Sequence, residues 1–364
     1  MKYGMFIMPF HDPDKAPAQC YDEDLELVVL AEEMGFSEFW IGEHHTHQWE
    51  NIALPEAFIG KALALTDTIR LGTAPTCLPY HHPAHVATRL AFLDHLSHGR
   101  LNLCFGPGSV YPDMELFGIH DPAVNSAMAE EAAEIILQLW QQDPPYRYDG
   151  RFWQIGLEHW VDRESRLGIL QKPLQRPNPP ICAPAMSMNS GTMKLAGRKG
   201  WAPISSNLIA GNVVADNWKV YEKAALEAGR TPDRADWRVC RSIYVGDDPE
   251  ESRRRAWTSY LGRFFDFLGG VLDKGEGQGP GRKFFKRDPN MPDAECDRDF
   301  FLGEQIIHGD VDEVVRRLNG LLEETGEFGT LILMAYDWND AEDKARWLRS
   351  TELFVNEVMP ALND

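Results

Sequence analysis

The chain has 364 residues, 43% of them hydrophobic and 25% charged, with 36 Lys+Arg against 56 Asp+Glu and a formal net charge of −20. That length affords a sizeable core in one large domain, and a field of that sign argues against nucleic acid and anionic membrane as partners. The 6 cysteines stand singly with no CxxC pair, which argues against structural zinc or a disulfide framework and fits a reduced, cytoplasmic compartment.

Met1–Phe10 is apolar but short, and His11-Asp12-Pro13-Asp14-Lys15 follows at once. It reads as a first strand over 2–8 and not as a signal peptide. No run approaches the roughly 18 apolar residues of a membrane span. Helices are expected over 22–34, 55–65, 83–96 and 125–140, from apolar residues recurring on one face, as at Val86, Leu90 and Leu93. Strands are expected over 38–42, 69–76 and 101–105. The rhythm resumes with strands over 180–185, 201–205, 238–245 and 329–334, and helices over 191–199, 212–228, 249–260, 310–325 and 341–359. About eight strands, nearly all followed by a helix, imply an α/β fold: a single (β/α)8 TIM barrel over 1–364 with its active site at the C-terminal strand ends. Two segments break the rhythm, about 142–179 and 261–304, and read as irregular insertions, the second with a Gly/Lys-rich middle over 269–286.

The strand ends are where chemistry is sought. The second ends in Glu43-His44-His45-Thr46-His47, and Tyr80-His81-His82 follows the third. Six of the 12 histidines lie in 44–47 and 81–85. A histidine at a strand end can serve as a base, a hydrogen-bond donor or a metal ligand. His45-Thr46-His47 has His-x-His spacing, but it lies beyond the strand and no carboxylate ligand follows on the late strands, so no metal is expected. Ser187, Asn189, Ser190, Gly191 and Thr192 lead into a helix, as either a phosphate site or an ordinary N-cap. Gly106-Pro107-Gly108-Ser109, after Phe105, lets a ligand approach backbone closely. No Rossmann or P-loop motif is present. Met8, Phe10, Trp49, Tyr80 and the aromatic 146–160 stretch read equally as an apolar pocket or as core.

Trp40-Ile41-Gly42-Glu43-His44-His45, Leu71-Gly72-Thr73-Ala74, Ser97-His98-Gly99-Arg100-Leu101, Phe117-Gly118, Ser187–Thr192 and Val358-Met359-Pro360 together resemble the bacterial luciferase-like flavin-dependent monooxygenases. Trp49-Glu50-Asn51-Ile52 is most similar to members acting on terpenes and camphor-type ketones. The resemblance implies reduced FMN at the barrel mouth, supplied by a separate NAD(P)H:flavin reductase, and reaction with O2 to a flavin hydroperoxide that oxygenates an apolar substrate. Hydroxylation, epoxidation and Baeyer–Villiger insertion all remain open. It implies His44 as the catalytic acid, base or hydrogen-bond donor, with Glu43 flanking the flavin. Ala74-Pro75 corresponds to a bulged, often cis, peptide behind the flavin ring, and barrels of this family often form homodimers.

One departure concerns the phosphate. From Leu101 to Tyr146 there is no Lys or Arg, and Pro107 and Ala127 stand where family arginines would. The phosphate is then left to residues 187–192 with Lys194, and each lost charge-assisted contact forfeits about 1.5–3 kcal/mol. Weak flavin retention is expected. A deazaflavin-dependent oxidoreductase, a non-catalytic flavin-binding barrel and a metal hydrolase are the competing readings. The acidic balance disfavours a polyanionic deazaflavin tail, and the intact Glu43-His44-His45 disfavours a silent barrel.

Overall fold

The computed structural model describes residues 1–8, 10–274 and 281–363. In chain order its elements begin with β1 (Lys2–Ile7), α1 (Pro17–Glu33), β2 (Glu38–Ile41), α2 (Pro55–Ala62), β3 (Arg70–Thr73), β4 (Thr76–Cys77), α3 (Pro83–Leu96), β5 (Leu101–Gly106), α4 (Tyr111–Leu116), α5 (Pro122–Gln141), β6 (Tyr146–Asp149) and β7 (Gln154–Leu157). They continue with β8 (Ile181–Ala185), α6 (Gly191–Lys199), β9 (Ala202–Ser205), α7 (Gly211–Glu227), β10 (Arg238–Val245), α8 (Pro249–Thr258), α9 (Tyr260–Lys274), α10 (Arg298–Glu304), β11 (Ile306–Gly309), α11 (Val311–Thr325), β12 (Thr330–Met334), α12 (Ala341–Leu353) and α13 (Met359–Asn363). The fold class is the (β/α)8 barrel, with β1, β2, β3, β5, β8, β9, β10 and β12 as its parallel strands. The chain divides into two compact units: Glu38–Ala183 is the first, and Met1–Ser37 with Pro184–Asp364 the second.

In the first unit β2 pairs with β3, β3 with β5, and β5 with β8, all parallel. β2 and β5 are buried along their whole length, as strands covered on both faces must be. The expected strand over 69–76 is two short strands, β3 and β4; the Ala74-Pro75 peptide between them is cis, as the resemblance implied. β4 then pairs with the end of β5, Thr76 beside Phe105. The 142–179 segment contains a β6–β7 hairpin, Tyr146 opposite Leu157. Glu131 of α5 accepts the N–H groups of Arg151, Phe152 and Trp153 and so holds its turn. A short helix, α4, was missed by periodicity because six residues give too few turns to show one.

In the second unit β1 pairs with β12, β12 with β10, and β10 with both β9 and β11. The 261–304 segment is not irregular among its described residues. α9 and α10 bracket an aromatic nucleus in which Phe265 and Phe285 lie 5.1 and 5.0 Å from the Phe301 ring. Burial of such rings contributes about 1.5–3 kcal/mol each, which is the reason a Gly/Lys-rich stretch does not keep its flanks open. Residues 275–280 of that stretch lie outside the described residues.

Beyond β1 the chain buries a charged cluster. His11, 2% exposed, places Nε2 3.0 Å from Asp24 of α1 and Nδ1 3.0 Å from Asp337, after β12. Lys15 reaches Asp337 at 2.7 Å and also pairs with Glu23. Burial disfavours the His11 cation, but the hydrogen bonds to Asp24 and Asp337 outweigh it and push the imidazole up to about 12.

Candidate active site

β2 is an apolar run that stops at Ile41, and the polar stretch from Glu43 to Glu50 cannot continue a strand buried on both faces. The chain turns back there, and the His44 N–H bonds to the Ile52 carbonyl at 3.0 Å. Glu43 remains 2% exposed. Its Oε1 lies 2.9 Å from His45 Nε2 and 2.7 Å from His81 Nε2, and its Oε2 accepts the Cys77 N–H at 3.1 Å. Burial would raise the Glu43 carboxyl, but the His45 and His81 bonds outweigh it and hold it low. Glu43 thus ties the β2 exit to the segment after β4. Ligand-type atoms of Glu43, His45 and His81 lie within 4.8 Å of one another. Their hydrogen-bond separations are those of two ring N–H groups sharing one oxygen.

His44 sits between two other carboxylates. Its Nε2 is 3.4 Å from Glu50 Oε2 and its Nδ1 3.5 Å from Asp113 Oδ2. Glu50 is 3% exposed and Asp113 1%, whereas the His44 side chain keeps 19% of its surface in contact with solvent. Glu50 Oε2 also lies 3.0 Å from His47 Nδ1, and the His44 and His47 rings stack at 5.2 Å. Asp113, on α4, uses Oδ1 to accept the Thr46 N–H at 2.7 Å, the Thr46 hydroxyl at 2.5 Å and the His45 N–H at 3.2 Å. Burial opposes the charges, yet Glu50 and then Asp113 raise the His44 imidazole above its ordinary value. Burial likewise works against the Asp113 carboxylate, but His44 and Thr46 bring it down to about 2. Neither Glu50 nor Asp113 was among the residues expected from sequence. The signals available for Glu50 were its place in the 43–50 run and in the Trp49-Glu50-Asn51-Ile52 motif, neither of which gave it a role, and Asp113 is far away in the chain.

Around this pair, Tyr80 stacks on Phe117 at 4.8 Å and meets the His45 ring edge-on at 5.8 Å. It packs with Cys77, Met114 and Ile119. Gly108 has φ +73, and a Cβ there would lie 2.6 Å from the Tyr80 hydroxyl, so both backbone and packing require glycine. Asn125 Nδ2 donates to the Pro107 and Gly108 carbonyls at 2.7 and 3.2 Å. The Tyr80 hydroxyl and Asn125 Oδ1 are buried with no hydrogen-bond partner among the described residues. Phe105 is buried at the end of β5 beside Gly106, and Trp49 is partly exposed on the 43–52 loop.

The other expected residues lie in the second unit. Ser190 caps α6, its hydroxyl accepting the Met193 N–H at 3.4 Å, and the Thr192 hydroxyl donates to the Pro184 carbonyl at 2.5 Å. Gly191 is exposed, with nothing within 4 Å of where a Cβ would stand. The Asn189 N–H bonds to Asp216 of α7 at 2.6 Å, and the Ser187 carbonyl accepts from Asn217 Nδ2 at 2.9 Å. A carboxylate thus stands where a phosphate was expected. Met8 is partly buried. Phe10 is buried in an aromatic nest with Tyr260, Phe264 and Phe267 of α9, at 6.1, 5.2 and 5.4 Å, the core alternative of its two readings.

Comparison with known proteins bears on this arrangement. The profile of the luciferase-like monooxygenases matches residues 1–327. The 4-hydroxyprotoasukamycin monooxygenase of Streptomyces nodosus subsp. asukaensis is 33% identical over 100% of this chain and 92% of its own length. Limonene 1,2-monooxygenase of Rhodococcus erythropolis is 32% identical over 99% of this chain and 86% of its own. Among solved structures, the oxygenating constituent of 3,6-diketocamphane monooxygenase of Pseudomonas putida, a type II Baeyer–Villiger monooxygenase in complex with FMN, superposes with a TM-score of 0.87. It is 28% identical and covers 99% of this chain and 98% of its own.

Proposed function

We propose that this chain, which belongs to the luciferase-like monooxygenase family, is the oxygenase component of a two-component FMN system acting on an apolar, terpenoid-type substrate. It is a flavin-dependent monooxygenase, and FMN is its cofactor. The observation that carries the reading is the coincidence of a family match over residues 1–327 with a partly exposed histidine held between two buried carboxylates at the β2 exit.

The chain's residues fit the cofactor. In the first turn of α6 the Ser190 hydroxyl takes the Met193 N–H, while the open face of Gly191 leaves room for a phosphate. Within the second unit, Ser187, Asn189, Ser190, Gly191 and Thr192 are our candidates for a phosphate contact; within the first, Ala74, Pro75, Phe105 and Gly106 are our candidates for a ring contact. Reduced FMN supplies the electrons that activate O2. The protein's part would be to hold a proton at His44 and to exclude water with Tyr80, Phe117 and Trp49. Glu43 acts on this site by fixing His45 and His81.

The Asp216 contact and the absence of Lys and Arg from Leu101 to Tyr146 support weak cofactor retention, and with it a separate reductase. A cytoplasmic location, which the six singly placed cysteines favour, and a homodimer, which the family resemblance implies, complete the proposal. Among the described residues no helix is long and apolar enough to cross a membrane. The test supplies photoreduced FMN and ¹⁸O₂ with a panel of cyclic terpenoid alkenes and ketones. One ¹⁸O atom in the product is expected, without NAD(P)H. A purified protein that oxidises NAD(P)H unaided would overturn the two-component reading.

A further inference from the structure

We propose that Glu50 is a positioning residue which, with Asp113, holds the His44 ring as the doubly protonated cation, so that His44 enters the reaction as a proton donor and not as a base. The inference deepens the monooxygenase reading above and rests on it.

The argument is geometric. Each nitrogen of His44 faces a buried carboxylate oxygen, Nε2 toward Glu50 at 3.4 Å and Nδ1 toward Asp113 at 3.5 Å. These are ion-pair separations, longer than strong hydrogen bonds. A neutral ring carries one proton, so either tautomer would set a lone pair against one of the two anions. Only the cation satisfies both sides. Glu50 itself needs a cation nearby, being 3% exposed with Oε1 lacking a hydrogen-bond partner among the described residues. The His47 ring stacks on His44 at 5.2 Å, and His44 has a carboxylate at each nitrogen.

The charged and titratable groups facing His44 come from two elements. Glu43, His47 and Glu50 lie on the β2 exit and its loop, and Asp113 on α4. The pKa directions agree with the geometry, since Glu50 is the largest influence raising His44 against its burial, and His44 the largest lowering Glu50. Tyr80 and Cys77 stay neutral beside them, burial pushing both up. Asp113 is already engaged by Thr46 and His45 through Oδ1, whereas among the described residues Glu50 Oε2 faces the His44 and His47 imidazoles. Glu50 is therefore the carboxylate whose loss most directly changes the charge on His44.

The test is a titration of the protein without flavin or substrate. Histidine is labelled with ¹³C and ¹⁵N, the ring ¹³Cε1 shift is followed with pH, and the His44 signal is assigned by its loss in His44→Gln. In the wild type the midpoint is expected above the ordinary 6.5. Glu50→Gln is expected to lower it and Glu50→Asp to restore part of the change. A wild-type midpoint at or below 6.5, or one unmoved by Glu50→Gln, overturns the proposal. Should Glu50→Gln fail to fold, the wild-type midpoint still decides, and Asp113→Asn supplies the second variant, with the same lowering expected. With photoreduced FMN added, the turnover rate should fall as pH rises through that midpoint, at lower pH in Glu50→Gln; a rate that rises there makes His44 a base. The titration needs no turnover. A raised midpoint without any oxygenated product would leave the His44 assignment standing and remove the oxygenase reading.

Discussion

Two histidines in this chain lie between paired carboxylates, and they are built to different tolerances. His11 is 2% exposed, with Asp24 and Asp337 each 3.0 Å away and Lys15 neutralising the surplus charge. His44 keeps 19% exposure, its carboxylates stand 3.4 and 3.5 Å away, and its neighbours are mainly acids and another imidazole. A sealed, tightly paired cation has nowhere to send its proton, and its effect is to join β1, α1 and the segment after β12. A loosely paired cation with an exposed edge can release one. The same three-residue chemistry serves as a structural joint in one place and as a candidate acid in the other.

Substitution should separate the two. His44→Ala is expected to reduce product formation from photoreduced FMN and O2 by about 10²–10⁴-fold, the range for a lost general acid, with an unfolding midpoint near wild type. His11→Ala strands the buried Asp24 carboxyl and leaves Asp337 to Lys15 alone, and should cost about 3–5 kcal/mol in urea unfolding. A loss below about 1 kcal/mol would erase the contrast between the two sites. The gap should depend on pH. The folded-state pKa of His11 is raised, so its contribution is full below 6.5 and declines as pH climbs toward about 12. Wild type and His11→Ala should therefore converge in alkaline urea melts.

Asp113→Asn keeps one acceptor oxygen for Thr46 and His45 but removes the negative charge beside His44, and should cost about 1–3 kcal/mol. Its pKa is depressed, so this contribution is complete above 3.8 and disappears as pH falls through about 2. The smallest effect belongs to Asp216→Asn. Removing that carboxylate from the Asn189 N–H relieves about 0.5–1 kcal/mol of repulsion toward a phosphate, so FMN should bind roughly threefold tighter by fluorescence titration. Unchanged or weaker binding would move the phosphate away from residues 187–192.

The barrel was legible because its signals are local. Strands buried on both faces appear as apolar runs, and helices such as 83–96 repeat their apolar face every third or fourth residue. α9 was hidden because glycines and lysines mark its neighbourhood, while the aromatic side chains that stabilise it come from Phe285 and Phe301, outside the helix. His44 was visible as part of a histidine cluster at a strand end. Its partners were not, since Asp113 is 69 positions away and only the packing of α4 brings it near. Glu43 was read as a group beside the cofactor, yet both its oxygens face protein donors, an accounting that no sequence pattern supplies. The 187–192 turn was legible as a helix start, but not the carboxylate that α7 lays across it.

That last contact bears on redesign. α6 lies against α7 so closely that a Cβ at Gly197 would come within 2.5 Å of the Tyr221 carbonyl oxygen, and α7 grips the preceding turn through Asp216 and Asn217. The turn and the two helices form one cassette. An engineer who transplants an arginine-bearing turn from a relative to make the protein retain its cofactor should transplant α7 with it, or the foreign turn will be pulled back to its old course.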